Sequence, residues 1–150
     1  LTGCDVIDNL KDMDSVSAAI GDVKFMMSAD VVQYGFSNVS ENRTVGFQPL
    51  CEVRNNSKKA VTYGGSGSDC EAIITGVFEN EDGKQYPMTY KGKNGGFPAG
   101  EKVEIKDFEL EVSAKNLSSE GGKIVTTFAY KGKKAIFTKV VGGDITSKVE

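Results

Sequence analysis

With 150 residues, 39% of them hydrophobic and 26% charged, the chain has the length for one domain and the apolar content to build its core. A formal net charge of −3, arginine only at Arg43 and Arg54, and no aromatic-basic motif exclude a nucleic-acid surface. The absence of histidine excludes acid–base chemistry by imidazole, and no apolar run approaches the roughly 20 residues of a membrane-spanning helix.

Charge is spread unevenly. Residues 1–30 carry six Asp and two Lys, a net −4, while residues 84–139 carry eleven Lys and six acids, a net +5. Lysines interleaved with acids along strands read as a solvated face; the competing reading is contact with anionic lipid or polysaccharide.

The chain opens Leu1-Thr2-Gly3-Cys4. An aliphatic residue, two small residues and a cysteine resemble the lipobox of bacterial lipoprotein precursors, where a signal peptide is removed and the cysteine receives a diacylglycerol. The resemblance implies a lipid anchor on Cys4 and a place in the bacterial cell envelope, facing the periplasm or the cell exterior. Asp5 would favour the inner membrane in enterobacteria-like Gram-negatives. The other reading of Cys4 is an ordinary free or buried thiol.

Residues 5–21 are expected to form a short N-terminal tether or helix. Val6, Leu10, Met13, Val16 and Ile20 recur at three- and four-residue steps, as in an amphipathic helix, whereas Asp8-Asn9, Asp12 and Asp14-Ser15 suit a flexible spacer. From residue 22 the period changes to two, and residues 22–141 read as the folded domain, with 142–150 as a C-terminal tail.

Val23, Phe25, Met27, Ala29 and Val31 alternate with more polar neighbours in a first strand. Val45, Phe47, Cys51 and Val53 share a face in a second, with Pro49 marking an edge or bulge. A short run over 59–63 leads into Gly64-Gly65-Ser66-Gly67-Ser68, read as a flexible loop. Residues 70–78 are apolar on both faces and therefore central; Glu81-Asp82-Gly83-Lys84 is a hairpin turn before a return strand over 86–90. Asn94-Gly95-Gly96-Phe97-Pro98-Ala99-Gly100 is a second long loop. Val103, Ile105, Phe108, Leu110 and Val112 then alternate with a slip across Asp107, which predicts a β-bulge. Residues 124–130 and 135–141 flank the turn Lys131-Gly132-Lys133-Lys134. An all-β fold follows, an antiparallel β-sandwich of about seven or eight strands.

Three cysteines are an odd number. Assigning Cys4 to lipid leaves Cys51 and Cys70 as a candidate disulfide, worth about 3 kcal/mol by loop-closure entropy. Two separate buried thiols are the alternative.

Residues 50–112 resemble the immunoglobulin-like domains of secreted bacterial lipoproteins, many of them uncharacterised. The resemblance rests on Cys51-Glu52-Val53-Arg54-Asn55-Asn56-Ser57, on residues 77–86 ending Asp82-Gly83-Lys84-Gln85-Tyr86, and on Pro98-Ala99-Gly100-Glu101. It implies an immunoglobulin-like fold and an extracytoplasmic setting, and it supplies no catalytic or binding residues.

No enzyme chemistry is expected. Glu104, Asp107, Glu109 and Glu111 read as the polar alternates of one strand, against the competing reading of a carboxylate pair for hydrolysis. No cofactor or metal is expected: residues 64–68 lack the lysine and helix of a phosphate loop, and Asp69 and Asp82 lie in ligand-poor loops. The expected function is that of a non-catalytic binding or accessory module, with a protein or cell-wall partner. Its candidate binding loops are Gly64, Gly65 and Ser66 and Gly95, Gly96 and Phe97, unless Phe97 plugs the end of the sandwich. The alternative is an inhibitor or immunity-type lipoprotein that blocks a hydrolase or phage factor.

Overall fold

The computed structural model describes residues 15–28, 35–37, 44–116 and 121–150. The lipobox with Cys4, Asp5, and the tether or helix over 5–14 lie outside the described residues, as do Ala29 and Val31.

The described chain runs through β1 (Ser15–Ile20), β2 (Val23–Ser28), β3 (Gly35–Ser37), β4 (Thr44–Phe47), β5 (Cys51–Asn55), β6 (Val61–Gly65) and β7 (Ala72–Glu79). It continues with β8 (Gln85–Tyr90), β9 (Gly95–Phe97), β10 (Lys102–Glu104), β11 (Leu110–Ser113), β12 (Lys123–Tyr130), β13 (Lys133–Val140) and β14 (Ile145–Val149). The strands form two sheets. The smaller has the order β1-β2-β5-β10; the larger has the order β14-β13-β12-β7-β8-β11-β4-β3, with β6 alongside β7 and β9 alongside β6. Every pairing is antiparallel except β6 with β7. The smaller sheet packs on the larger as a β-sandwich, with Phe25 of β2 against Phe128 of β12.

Two of the strands read from sequence are each divided between the sheets. The run through Val45 to Val53 splits into β4 in the larger sheet and β5 in the smaller, with Gln48-Pro49-Leu50 between them. The run through Val103 to Val112 splits likewise into β10 and β11. The slip at Asp107 is therefore a corner rather than a bulge within one strand, and Asp107 turns it with φ of 56°. β4 stays paired with β11 and β5 with β10, so the two strands change sheets side by side.

Both ends of the described chain also depart from expectation. Residues 15–20 form neither helix nor tether but β1, paired along its whole length with β2. Val16 and Ile20 fit a helical four-residue step, yet four is also twice the strand period, and buried Ala18 and Ile20 settle which face counts. The expected tail contains β14, paired with β13 from Ala135↔Val149 to Lys139↔Ile145. β14 packs against β1, and Ser147 Oγ donates to the Ser17 carbonyl at 2.6 Å.

The core lies between the sheets. Phe128 of β12 stacks on Phe25 of β2 at 4.7 Å between ring centroids and meets Phe137 edge-on at 5.8 Å. β7 is central as expected, bonded on its two sides to β12 and β8. Gly76 in β7 is required by close approach, since a Cβ there would lie 2.7 Å from the Leu110 side chain. Thr126 is fully buried and its hydroxyl has no hydrogen-bond partner. Thr126→Val keeps the branched shape and removes the stranded hydroxyl, so it is expected to raise stability by about 1 kcal/mol, read from the urea midpoint at unchanged m.

Candidate functional site

The corner where the two strand pairs change sheets encloses a cleft of about 370 Å³. Gln48, Pro49 and Leu50 form one wall; Glu104, Ile105, Asp107, Phe108 and Glu109 form the other, with Lys91 at the side. Three of the four polar alternates of the predicted strand, Glu104, Asp107 and Glu109, thus gather here because their backbone bends between sheets. Ile105 N donates to the Cys51 carbonyl at 2.9 Å and Lys91 N to the Glu109 carbonyl at 2.8 Å, which fixes the bend.

The carboxylates have separate tasks. Gln48 Nε2 donates to Glu109 Oε1 across the cleft. Asp107 pairs with Lys93 at 3.6 Å, with both side chains largely exposed, so the pair contributes little to stability. Glu104 is exposed on β10. Glu111 lies in β11, two residues beyond Glu109 and outside the cleft lining.

Burial first, and then the Glu109 carboxylate and a hydrogen bond with it, raise the Glu111 acid above its ordinary range, with Lys91 acting against them. The folded protein therefore holds this proton more tightly than the unfolded chain does. That contribution is favourable below the ordinary glutamate range and is lost as pH rises through the raised value. Glu111→Gln is expected to raise Tm near pH 7 and to leave it almost unchanged near pH 3.5, where both states carry the proton; thermal melts at the two pH values check this.

The two glycine-rich segments expected to be free binding loops pair with each other. Gly64 and Gly65 end β6, and Gly95, Gly96 and Phe97 are β9, in the register Val61↔Phe97, Thr62↔Gly96 and Tyr63↔Gly95. The glycines serve close packing: a Cβ on Gly64 would lie 2.8 Å from Cys70 Sγ, and one on Gly95 would lie 2.7 Å from the Tyr63 hydroxyl. Phe97 is fully buried, stacked on Tyr63 at 4.6 Å, and so plugs the sandwich rather than meeting a ligand. Gly65 and exposed Ser66 do line a second cleft of about 210 Å³, with Thr75, Met88, Thr89 and Tyr90. Burial, followed by the neighbouring Tyr63, raises the Tyr90 phenol, and its hydroxyl donates to the Lys93 carbonyl at 3.0 Å.

Cys51 and Cys70 form no disulfide; both are free thiols. Cys51 starts β5 and is fully buried beneath the corner, while Cys70 is half-buried in the turn before β7, against Gly64. Burial, with Glu104 and Glu52 adding to it, pushes the Cys51 thiol well up, which leaves it a packing residue.

The three segments that carry the family resemblance are turns held by two asparagines. Fully buried Asn55 accepts from Ser57 N at 3.0 Å and from Ser57 Oγ at 2.6 Å, and donates from Nδ2 to the carbonyls of Lys59 at 2.8 Å and Phe97 at 2.9 Å. Its backbone accepts from Gly100 N and donates to the Glu101 carbonyl, which joins the first segment to the third. In the second, Asn80 Oδ1 accepts from Asp82 N and Lys84 N at 3.0 Å each, around Gly83 at φ 83°. No family model matches the chain, and a search of curated protein sequences found no match.

Proposed function

We propose that the chain is a non-catalytic envelope lipoprotein, held by a lipid on Cys4, whose sandwich presents a binding surface to a protein or cell-wall partner. The position of β1 carries this reading. Ten residues, 5–14, separate Cys4 from Ser15, a reach of roughly 35–40 Å when fully extended. β1 is woven into the smaller sheet and bonded to β14, so an anchor on Cys4 would hold a rigid domain close to the bilayer. Ser15 and Leu50 line one small pocket, and Leu50 also lines the corner cleft. Ser15 therefore lies on the corner side of the smaller sheet, and the Asn55 end of β5 lies opposite.

The carboxylates of the corner fit a surface role. Glu109 is tied to Gln48, Asp107 is paired with Lys93 and Glu104 faces solvent. The intact mass of membrane-extracted protein tests the reading. The expected result is a chain beginning at acylated Cys4; an unmodified soluble chain beginning at Leu1 overturns it.

A further inference from the structure

We infer that a lysine-lined groove beyond the Asn55 end of β5 binds an anionic carbohydrate, a sugar or polyol polymer bearing phosphate or carboxylate groups. This gives the binding role proposed above a ligand class and rests on that reading for its setting. The groove, of about 210 Å³, lies between the loop after β5 and the β12–β13 turn. Lys58, Lys59 and Lys131 line it, together with Glu71 and Tyr130. The three lysines are exposed, and none forms an ion pair among the described residues. Three ammonium groups against the single Glu71 carboxylate leave the groove lining with a net positive charge.

The groove is built rather than incidental. Its Lys58-Lys59 wall is held by the Asn55 network, with Ser57 Oγ also accepting from Lys59 N at 3.4 Å. Ligand binding there would not have to order the loop. On the other wall Lys131 sits at φ 50°, one of two non-glycine residues with positive φ among the described residues. It occupies the first central position of a two-residue hairpin turn, where Asn or Gly is favoured. A lysine at that position gives up turn stability to place a cation at the groove, its Nζ 5.4 Å from the centre of the Tyr130 ring.

Glu71 selects the ligand further. One of its oxygens accepts from Thr62 N at 3.4 Å, and the carboxylate lines the same groove as the lysines. A bare anion would face that carboxylate without compensation, whereas a sugar or polyol offers hydroxyl donors to it and anionic groups to the lysines. The groove lies at a defined end of the smaller sheet. Asn56 N donates to the Asp22 carbonyl at 2.8 Å, which places the loop beside the β1–β2 turn, at the far end of β1 from Ser15. The vesicle probe below separates lipid headgroups from a soluble polymer.

The test uses the full chain purified without lipid, so the state of Cys4 does not affect it. Calorimetric titrations use poly(glycerol phosphate), polygalacturonate, neutral dextran and phosphatidylglycerol vesicles as probes. Binding is expected to at least one anionic polymer, weakening as salt rises, with none to dextran and less to vesicles. Lys58→Gln and Lys59→Gln are each expected to weaken it about fivefold, and the triple variant with Lys131→Gln about a hundredfold. Lys123→Gln, at the other end of β12, leaves it unchanged. Lys131→Asn separates binding from folding: it raises Tm by a few degrees as the turn relaxes, yet weakens binding. No binding to either anionic polymer, tighter binding to vesicles, an equal loss from Lys123→Gln, or full binding by Lys131→Asn overturns the inference.

Discussion

Phe128→Ala is expected to cost about 3–5 kcal/mol, a large fraction of the roughly 5–15 kcal/mol that a domain of this size has available. Among the described residues, Phe128 is the one ring that meets three aromatic partners: Phe25 across the sandwich, Phe137 beside it and Phe108 at the corner. Truncation would open a cavity between two sheets whose backbones are fixed by their ladders, so little collapse can fill it. The expected signature is a lower urea midpoint with m retained. Phe128→Leu, which keeps most of the volume, should recover about half of the loss. A loss below about 1 kcal/mol for the alanine variant would show that the sheets can close over the gap.

Asn55→Ala comes next, at about 2–4 kcal/mol. The cost has less to do with the bonds removed than with the groups left behind. The Phe97 carbonyl loses its side-chain donor in a buried setting, and Ser57 N and the Lys59 carbonyl lose partners at the same time. Asn55→Asp should be at least as harmful at neutral pH, because an anionic oxygen would replace the amide that faces two carbonyls. Asn56→Ala, one residue on and exposed, is the matched control and should change the urea midpoint little.

Much of the fold was legible because the strand period is strict wherever one face is buried. β7, β12, β13 and the turns at Gly83 and Lys131 follow directly from alternation and turn chemistry. β1 was hidden because Val16 and Ile20 satisfy both periods, and β14, which packs against it, is more than a hundred residues away. β14 has a single buried apolar residue, Ile145, and so carries almost no local signal. The glycine-rich segments misled for a different reason. Glycine marks both a flexible loop and a close approach, and only the positions of Cys70 and Tyr63 tell them apart.

The corner was half visible. The slip at Asp107 and Pro49 both mark a break in a strand, but a bulge and a change of sheet leave the same trace in one sequence. What distinguishes them is that both breaks occur at matching positions of two paired strands, which requires the pairing to be known. The cleft inherits that dependence. Its carboxylates are plain in the sequence, and their gathering is a product of the shared bend. Asn55 was equally visible as part of a motif, while its role as the tie to Phe97 lies 42 residues away.

The meeting of β1 with β14 also sets an order of events. The first and last described strands close the same seam, so the chain cannot complete its fold until its last residues are available. Pairings of such long sequence separation make folding slow, on the millisecond-to-second scale typical of all-β sandwiches. Until the seam closes, the outer edges of β1 and β14 are open templates for other chains. Once it closes, β1 and β14 lie against each other, tied by the Ser147 hydroxyl to the Ser17 carbonyl.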